Sequence, residues 1–205
     1  MSKDITIPEV FIVESLKFDN EANDRYEGKI ISNILHLNGK NSKYYYIRTR
    51  RELEEVVGIF DVSRYRYLHL SCHGSPQSMA TTLDTIPFEQ LGGILKPHLH
   101  NKRLFISACE MVNEELAKAI IPDSGCYSII GPSEPVAFSD AAILWASFYH
   151  LIFNYDSEAI KREGIIKYCE HIVNLFGVPL NYYSSSRSQE SGFRLKRIGP
   201  KKSGG

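Results

Sequence analysis

The feature that most constrains this chain is an alternation of two hydrophobic patterns. Val10 to Leu16 (VFIVESL), Lys43 to Arg48 (KYYYIR), Tyr65 to Cys72 (YRYLHLSC), Leu104 to Ala108 (LFISA) and Tyr127 to Ile130 (YSII) are short runs of strand-forming residues. Between them lie stretches whose apolar residues recur at helical spacing: Glu27 to Leu37, Arg51 to Phe60, Pro87 to Leu95 and Glu114 to Ile121. Ser139 to Phe153 and Ser157 to Phe176 read as two longer helices, the second bent at Gly164, and Phe193 to Ile198 as a last strand. Strands that alternate with helices pair in parallel, because each crossover returns the chain to the same end of the sheet. The expectation is an α/β three-layer sandwich, with a mostly parallel central sheet and helices on both faces. The stretches 74–86 and 181–192 read as loops rather than linkers. One domain over residues 1–198 is expected, with a disordered tail over 199–205.

Composition supports a packed core and removes several functions. Of 205 residues, 43% are hydrophobic and 23% charged, close to globular averages. Lys plus Arg is 24 and Asp plus Glu is 24, for a formal net charge of zero. That argues against a dedicated nucleic-acid binder, which carries a basic excess. No apolar run approaches the roughly 18 residues that span a membrane, and the first residues lack a signal-peptide pattern. A cytoplasmic protein without a membrane partner is expected. The four cysteines, Cys72, Cys109, Cys126 and Cys169, are scattered with no CxxC pair, which is not a disulfide framework.

Two of the expected strands end in reactive side chains. One runs Leu68-His69-Leu70-Ser71-Cys72-His73-Gly74, the other Leu104-Phe105-Ile106-Ser107-Ala108-Cys109-Glu110. Active sites of open α/β sheets sit beyond the carboxyl ends of the strands, and neighbouring strands lie about 5 Å apart. If these two are neighbours, His73 and Cys109 stand side by side. A thiolate is a nucleophile, and an imidazole can take its proton and later protonate a leaving amine. Asn113-Glu114-Glu115 reads as a helix start just past Cys109, where a helix N-terminus favours a thiolate. The N–H of Gly74, with no side chain in the way, is a candidate oxyanion donor, together with that of Cys109.

These two strings resemble the two signature motifs of CHAT domains, caspase-fold cysteine peptidases of the clan that also holds caspases, separases and gingipains. Tyr127 to Pro132, Pro135-Val136, Asp140 and Phe148-Tyr149 are similar to that family's third block. The resemblance covers roughly residues 65–153. It implies a caspase-like sandwich and a His73/Cys109 dyad with no metal and no cofactor. It also implies a protein substrate, encoded by a neighbouring gene in some stand-alone bacterial members; gasdermin-like pore-formers in antiphage defence are one such target. Ser75-Pro76-Gln77 and Glu134 depart from the family's usual residues, and no Q-A-C-x-G string is present, so caspase-type cleavage after Asp is not implied. Family members carry repeat domains, which this chain lacks. A monomer is expected. The alternative is an inactive caspase-fold scaffold.

The same resemblance places part of the specificity pocket on residues 131–140, GPSEPVAFSD, which hold two acids and no Arg or Lys. An acidic pocket attracts a cation. Cleavage after a basic residue, Arg above Lys, is therefore expected, with Asp140 the first candidate acid and Glu134 the second. An apolar pocket lined by Val136 and Phe138 is the fallback. Other residues have plainer readings. Cys72 should point away from His73 into the core, and His69 should be a core histidine. His98-x-His100 is too sparse for zinc. Tyr44 to Tyr46 suit plain strand, and the six basic residues of 187–202 suit a solvated edge.

Overall fold

The computed structural model describes residues 6–158, 161–186 and 188–201. In chain order the elements are β1 (Ile7–Glu14), α1 (Phe18–Ala22), α2 (Glu27–Leu37), β2 (Lys43–Tyr46), α3 (Arg50–Ser63), β3 (Tyr65–Ser71), β4 (His73–Gly74), β5 (Ser78–Ala80), β6 (Thr85–Pro87), α4 (Phe88–Leu95), β7 (Arg103–Ser107), α5 (Glu114–Ile120), β8 (Ser128–Pro132), α6 (Phe138–Tyr155), α7 (Arg162–Phe176), β9 (Leu180–Ser185) and β10 (Phe193–Ile198). The main sheet has seven strands in the order β10-β9-β8-β7-β3-β1-β2. From β2 to β8 neighbours run parallel, and β9 runs antiparallel to both β8 and β10.

The chain starts in the middle of this sheet. From β1 it crosses through α2 to the edge at β2, then returns through α3 to β3 on the other side of β1. Right-handed crossovers in opposite directions put their helices on opposite faces. Accordingly α2, with α6 and α7, packs against Val10, Ile12, Tyr67, Phe105 and Ile130. Helices α3, α4 and α5 pack against Phe11, Val13, Leu68, Leu70, Leu104 and Ile106. Successive strand residues go to alternate faces, and both faces are covered. The strands are therefore apolar almost throughout rather than alternating. The reversal of direction falls between β1 and β3, which opens a crevice at their carboxyl ends.

Several expected boundaries shift. Residues 74–86 are not a plain loop, because β4, β5 and β6 form a second, three-stranded antiparallel sheet that buries Met79 and Ile86. Strands of two or three residues are too short to leave a periodic signature. Residues 181–192 hold β9, whose Tyr182 and Tyr183 are buried on opposite faces; the Asn and Ser around them read as loop because local composition does not record the neighbours β8 and β10. The helix expected from Ser157 begins at Arg162, and Gly164 lies in its first turn rather than at a mid-helix bend. Lys201 N–H donates to Asn174 Oδ1 at 2.7 Å, which ties residue 201 to α7. The rest of the expected tail, 202–205, lies outside the described residues.

Candidate active site

Strands β3 and β7 pair in parallel with Ser71 opposite Ser107, and Cys72 N–H extends the ladder by donating to Ser107 O at 3.1 Å. His73 and Cys109 each lie two residues past that Ser pair. The even step gives both the parity of Ser71 and Ser107, which is the α2/α6 face. The odd residue Cys72 goes the other way, into the core beside Met111, with Sγ 4.0 Å from the sulfur of Met111. Burial pushes the Cys72 thiol far up, so it stays protonated.

Past the ladder the two strands part. His73 and Gly74 turn away to pair with Ala80 and Met79 of β5. Ser75 N–H donates to Ser78 O at 2.9 Å. Since bonded and non-bonded pairs alternate in an antiparallel ladder, Gly74 sits at the non-bonded position opposite Met79, and its N–H points away from β5. A Cβ on Gly74 would collide with the Met111 side chain, so this close approach requires glycine. On the other strand, Glu110 adopts a left-handed φ of 56° immediately after Cys109. Such a conformation costs a non-glycine residue about 1 to 2 kcal/mol. It is held by Asn113, whose Nδ2 donates to Glu110 O at 3.0 Å and to Pro76 O at 2.8 Å. Asn113 Oδ1 also caps α5 by accepting from Leu116 N–H at 3.1 Å.

One segment touches both reactive side chains. Cys109 Sγ lies 3.7 Å from Val136 O, and the Phe138 ring packs edge-on against His73 with centroids 5.3 Å apart. A third side chain orients the imidazole. Asn20, nearly buried in α1, places Nδ2 2.8 Å from His73 Nε2. Arg25, which can only donate, reaches Asn20 Oδ1 at 3.2 Å and so fixes which end of the amide faces the ring. Burial, then the Lys17 ammonium, holds the half-buried His73 below its usual pKa. The imidazole is therefore neutral near pH 7.

Val136 and Phe138 also line a cleft of about 540 Å³, together with Arg25, Glu27, Ile30 and Ala142. Asp140 and Glu134 are both exposed and lie outside this lining. The one acid among the lining residues is Glu27, at the start of α2, with its side chain buried beneath the cleft. Its Oε2 accepts from Ser71 Oγ at 3.0 Å, while its Oε1 is buried with no partner among the described residues. Burial drives its pKa up to about 8, with adjacent Glu14 adding to the rise and the nearby Ser71 and Ser107 hydroxyls opposing it.

The remaining flagged residues have structural surroundings. His69 is fully buried, with Nδ1 3.0 Å from the Tyr149 hydroxyl and its ring edge-on to Trp145, and desolvation lowers its pKa to about 3. His98 lies 3.4 Å from Asp61, whereas His100 packs at Gly125. No group of three or more metal-ligating side chains forms among the described residues. Tyr44 and Tyr46 are tied to Glu14 and Glu21. No described helix is long and apolar enough to cross a membrane.

No family model and no curated protein sequence matches this chain. Solved structures do. A secreted C11 cysteine protease from Bacteroides thetaiotaomicron, iotapain, superposes with a TM-score of 0.54 at 14% identity over 88% of this chain and 67% of its own. The Arg-specific cysteine proteinase gingipain R superposes with a TM-score of 0.56 at 13% identity over 93% of this chain. The fold is that of the caspase-like cysteine proteases. This chain spans 44% of the gingipain chain. At these identities the likeness is one of fold, and the chemistry rests on the residues at the sheet's carboxyl end.

Sequence reasoning singled out His73, Gly74 and Cys109, but not Asn20 or Glu27. Asn20 belongs to a single-turn helix with no sequence signature. Strand order alone would have flagged it, because β1 borders β3 and the connection after β1 must pass His73. Glu27 reads as an ordinary helix-starting acid until its surroundings are known.

Proposed function

We propose that this chain is a cysteine endopeptidase with Cys109 as nucleophile and His73 as general base and acid. The observation that carries the reading is the shared segment 136–138, which contacts both the thiol and the imidazole at the end of two adjacent parallel strands. The Cys109 thiol gives its proton to the unprotonated ring nitrogen of the neutral imidazole, leaving a thiolate and an imidazolium. Sulfur bonds to the scissile carbonyl carbon, and the carbonyl electron pair moves onto oxygen, where the N–H groups of Gly74 and Cys109 receive it. Collapse breaks the C–N bond, and the amine leaves with the imidazolium proton. Water then attacks the thioester, losing its proton to His73, and the thiol is restored.

The substrate class on this reading is a protein cleaved after a basic residue, Arg above Lys. The resemblance of residues 65–153 to CHAT domains supports a bacterial effector role with a neighbouring gene's product, such as a gasdermin-like pore-former, as target. A peptide warhead of the acyloxymethyl ketone type tests the chemistry. Mass spectrometry should find the label on Cys109 in the wild type, and Cys109→Ala and His73→Ala should each lose about 10³-fold or more in peptide cleavage. Full cleavage by Cys109→Ala, or a wild type that neither cleaves nor labels, overturns the assignment in favour of a scaffold.

A further inference from the structure

Two carboxylates are buried side by side under the cleft, and they differ in what they lack. Glu14, at the end of β1, is satisfied on both oxygens. Its Oε1 accepts from Gly28 N–H at 2.8 Å at the start of α2, and its Oε2 accepts from the Tyr44 hydroxyl at 2.8 Å. Glu27 shares the Ser71 hydroxyl, whose single proton cannot serve both acids, and has the Ser107 hydroxyl nearby, yet its Oε1 is buried with no hydrogen-bond partner among the described residues. Ser107 Oγ, Trp145 Nε1 and His69 Nε2 are further unpartnered buried polar atoms in the same region between the sheet, α2 and α6. Buried polar groups are almost always paired, and a buried carboxylate with a free oxygen is costly unless a cation completes it.

No cation of the chain does so. Arg25, the only basic side chain in the cleft lining, is exposed at the rim with its guanidinium on Asn20, and no Lys, Arg or His forms an ion pair with Glu27 among the described residues. The acid's position is not adjustable either. A Cβ on Gly28 would crowd Ile12 and Glu14, so α2 starts directly against β1 with Glu27 as its first residue. The other wall of the cleft is Val136 and Phe138, the residues that touch Cys109 and His73.

We infer that Glu27 is the specificity-determining carboxylate of this cleft, built to receive the guanidinium of the substrate residue before the scissile bond. This assignment rests on the peptidase reading and replaces Asp140 and Glu134 as the acid. A planar guanidinium fits better than an ammonium. It can donate to Glu27 Oε1 and to the neighbouring Ser107 Oγ from one rigid fork, and it is more weakly hydrated, so it is less costly to bury. The apolar walls bear on its methylene stem.

Binding and cleavage separate this inference from the peptidase reading. Agmatine, a guanidinium on a short alkyl chain, is the binding probe and is added to the full chain carrying Cys109→Ala. It should raise the melting temperature of that protein and leave the Cys109→Ala/Glu27→Gln protein unmoved. Equal shifts in both, or none in either, overturn the inference whether or not the chain is a peptidase. Cleavage is read with a peptide library varied only at the residue before the scissile bond. Glu27→Gln, which keeps the shape and the Ser71 bond, should lose the Arg-over-Leu preference by at least about 100-fold. A wild-type preference for Asp or Leu overturns the inference, as does a basic preference removed by Asp140→Asn or Glu134→Gln but not by Glu27→Gln. If agmatine binds as expected while no peptide is cleaved, the peptidase reading fails and the cation site stands.

Discussion

The two faces of the central sheet are built on opposite rules. Under α3, α4 and α5 the strands contribute Phe11, Val13, Leu68, Leu70, Leu104 and Ile106, and the space is filled by hydrocarbon and rings. Under α2, α6 and α7 the same strands begin with Val10, Ile12, Tyr67 and Phe105, but toward their carboxyl ends they carry Glu14, His69, Ser71 and Ser107. The first face optimises packing. The second gives up part of it for polar groups that fold alone does not need, and two of those groups, His69 and Ser107, keep an unpartnered atom. A protein tolerates such unpaired groups where an external ligand completes them. The contrast marks the same end of the sheet as the candidate site, without reference to any relative.

Four measurements press on that contrast. The largest effect belongs to the reactive pair. His73→Ala and Cys109→Ala should each cost about 10³-fold or more in kcat/KM, and the double variant should be no worse than either, because the two act as one unit. Steady-state kinetics would show additive losses if they act separately. On the apolar face, Leu68→Ala should cost about 2 to 5 kcal/mol of stability through lost burial and a cavity. Activity per folded molecule should be unchanged; chemical denaturation alongside activity reads both.

The third measurement is pH. Glu27 titrates at about 8 in the folded chain against an ordinary 4.5. Its protonated form is thus the one the fold favours. The stability linked to it is fully present below pH 4.5 and is lost as pH rises through about 8, with a slope no steeper than about 1.4 kcal/mol per pH unit. Glu27→Gln should flatten the slope between pH 5 and 8, leaving the weaker contribution of Glu14, whose pKa is also raised. An unchanged slope would mean that the acid is not buried as described. The smallest effect is that of Cys72→Ala, with about 1 kcal/mol of packing lost and cleavage retained. Loss of cleavage would show that the thiol facing the core takes part in the chemistry.

Much of this was legible in sequence, for identifiable reasons. Long periodic segments such as Glu27 to Leu37 announced themselves, and its bounds agree with α2. The strings ending at Gly74 and Glu110 placed a histidine and a cysteine just beyond two strand ends, and those two strands pair in parallel up to Ser71 and Ser107. The three-stranded sheet after His73 and the strand at Leu180–Ser185 were not legible, since they depend on partners far along the chain. The cleft acid escaped for a related reason. Attention to residues 131–140 found two acids near the reactive pair in sequence, whereas Glu27 reaches the cleft from a helix about 80 residues before Cys109 because β1 and β3 are neighbours.

The origin of the cleft's parts has a bearing on synthesis. Asn20 and Glu27 follow β1, His73 follows β3, Cys109 follows β7, and Val136 and Phe138 follow β8. A growing chain emerges from its N-terminus at about 5 to 20 residues per second. By the time the thiol has appeared, the wall at 136–138 has not, and α6, which covers the polar floor, comes later still. On the proposed reading a ribosome-bound chain stopped short of residue 138 carries a thiol and an imidazole but no cleft to hold a peptide against them.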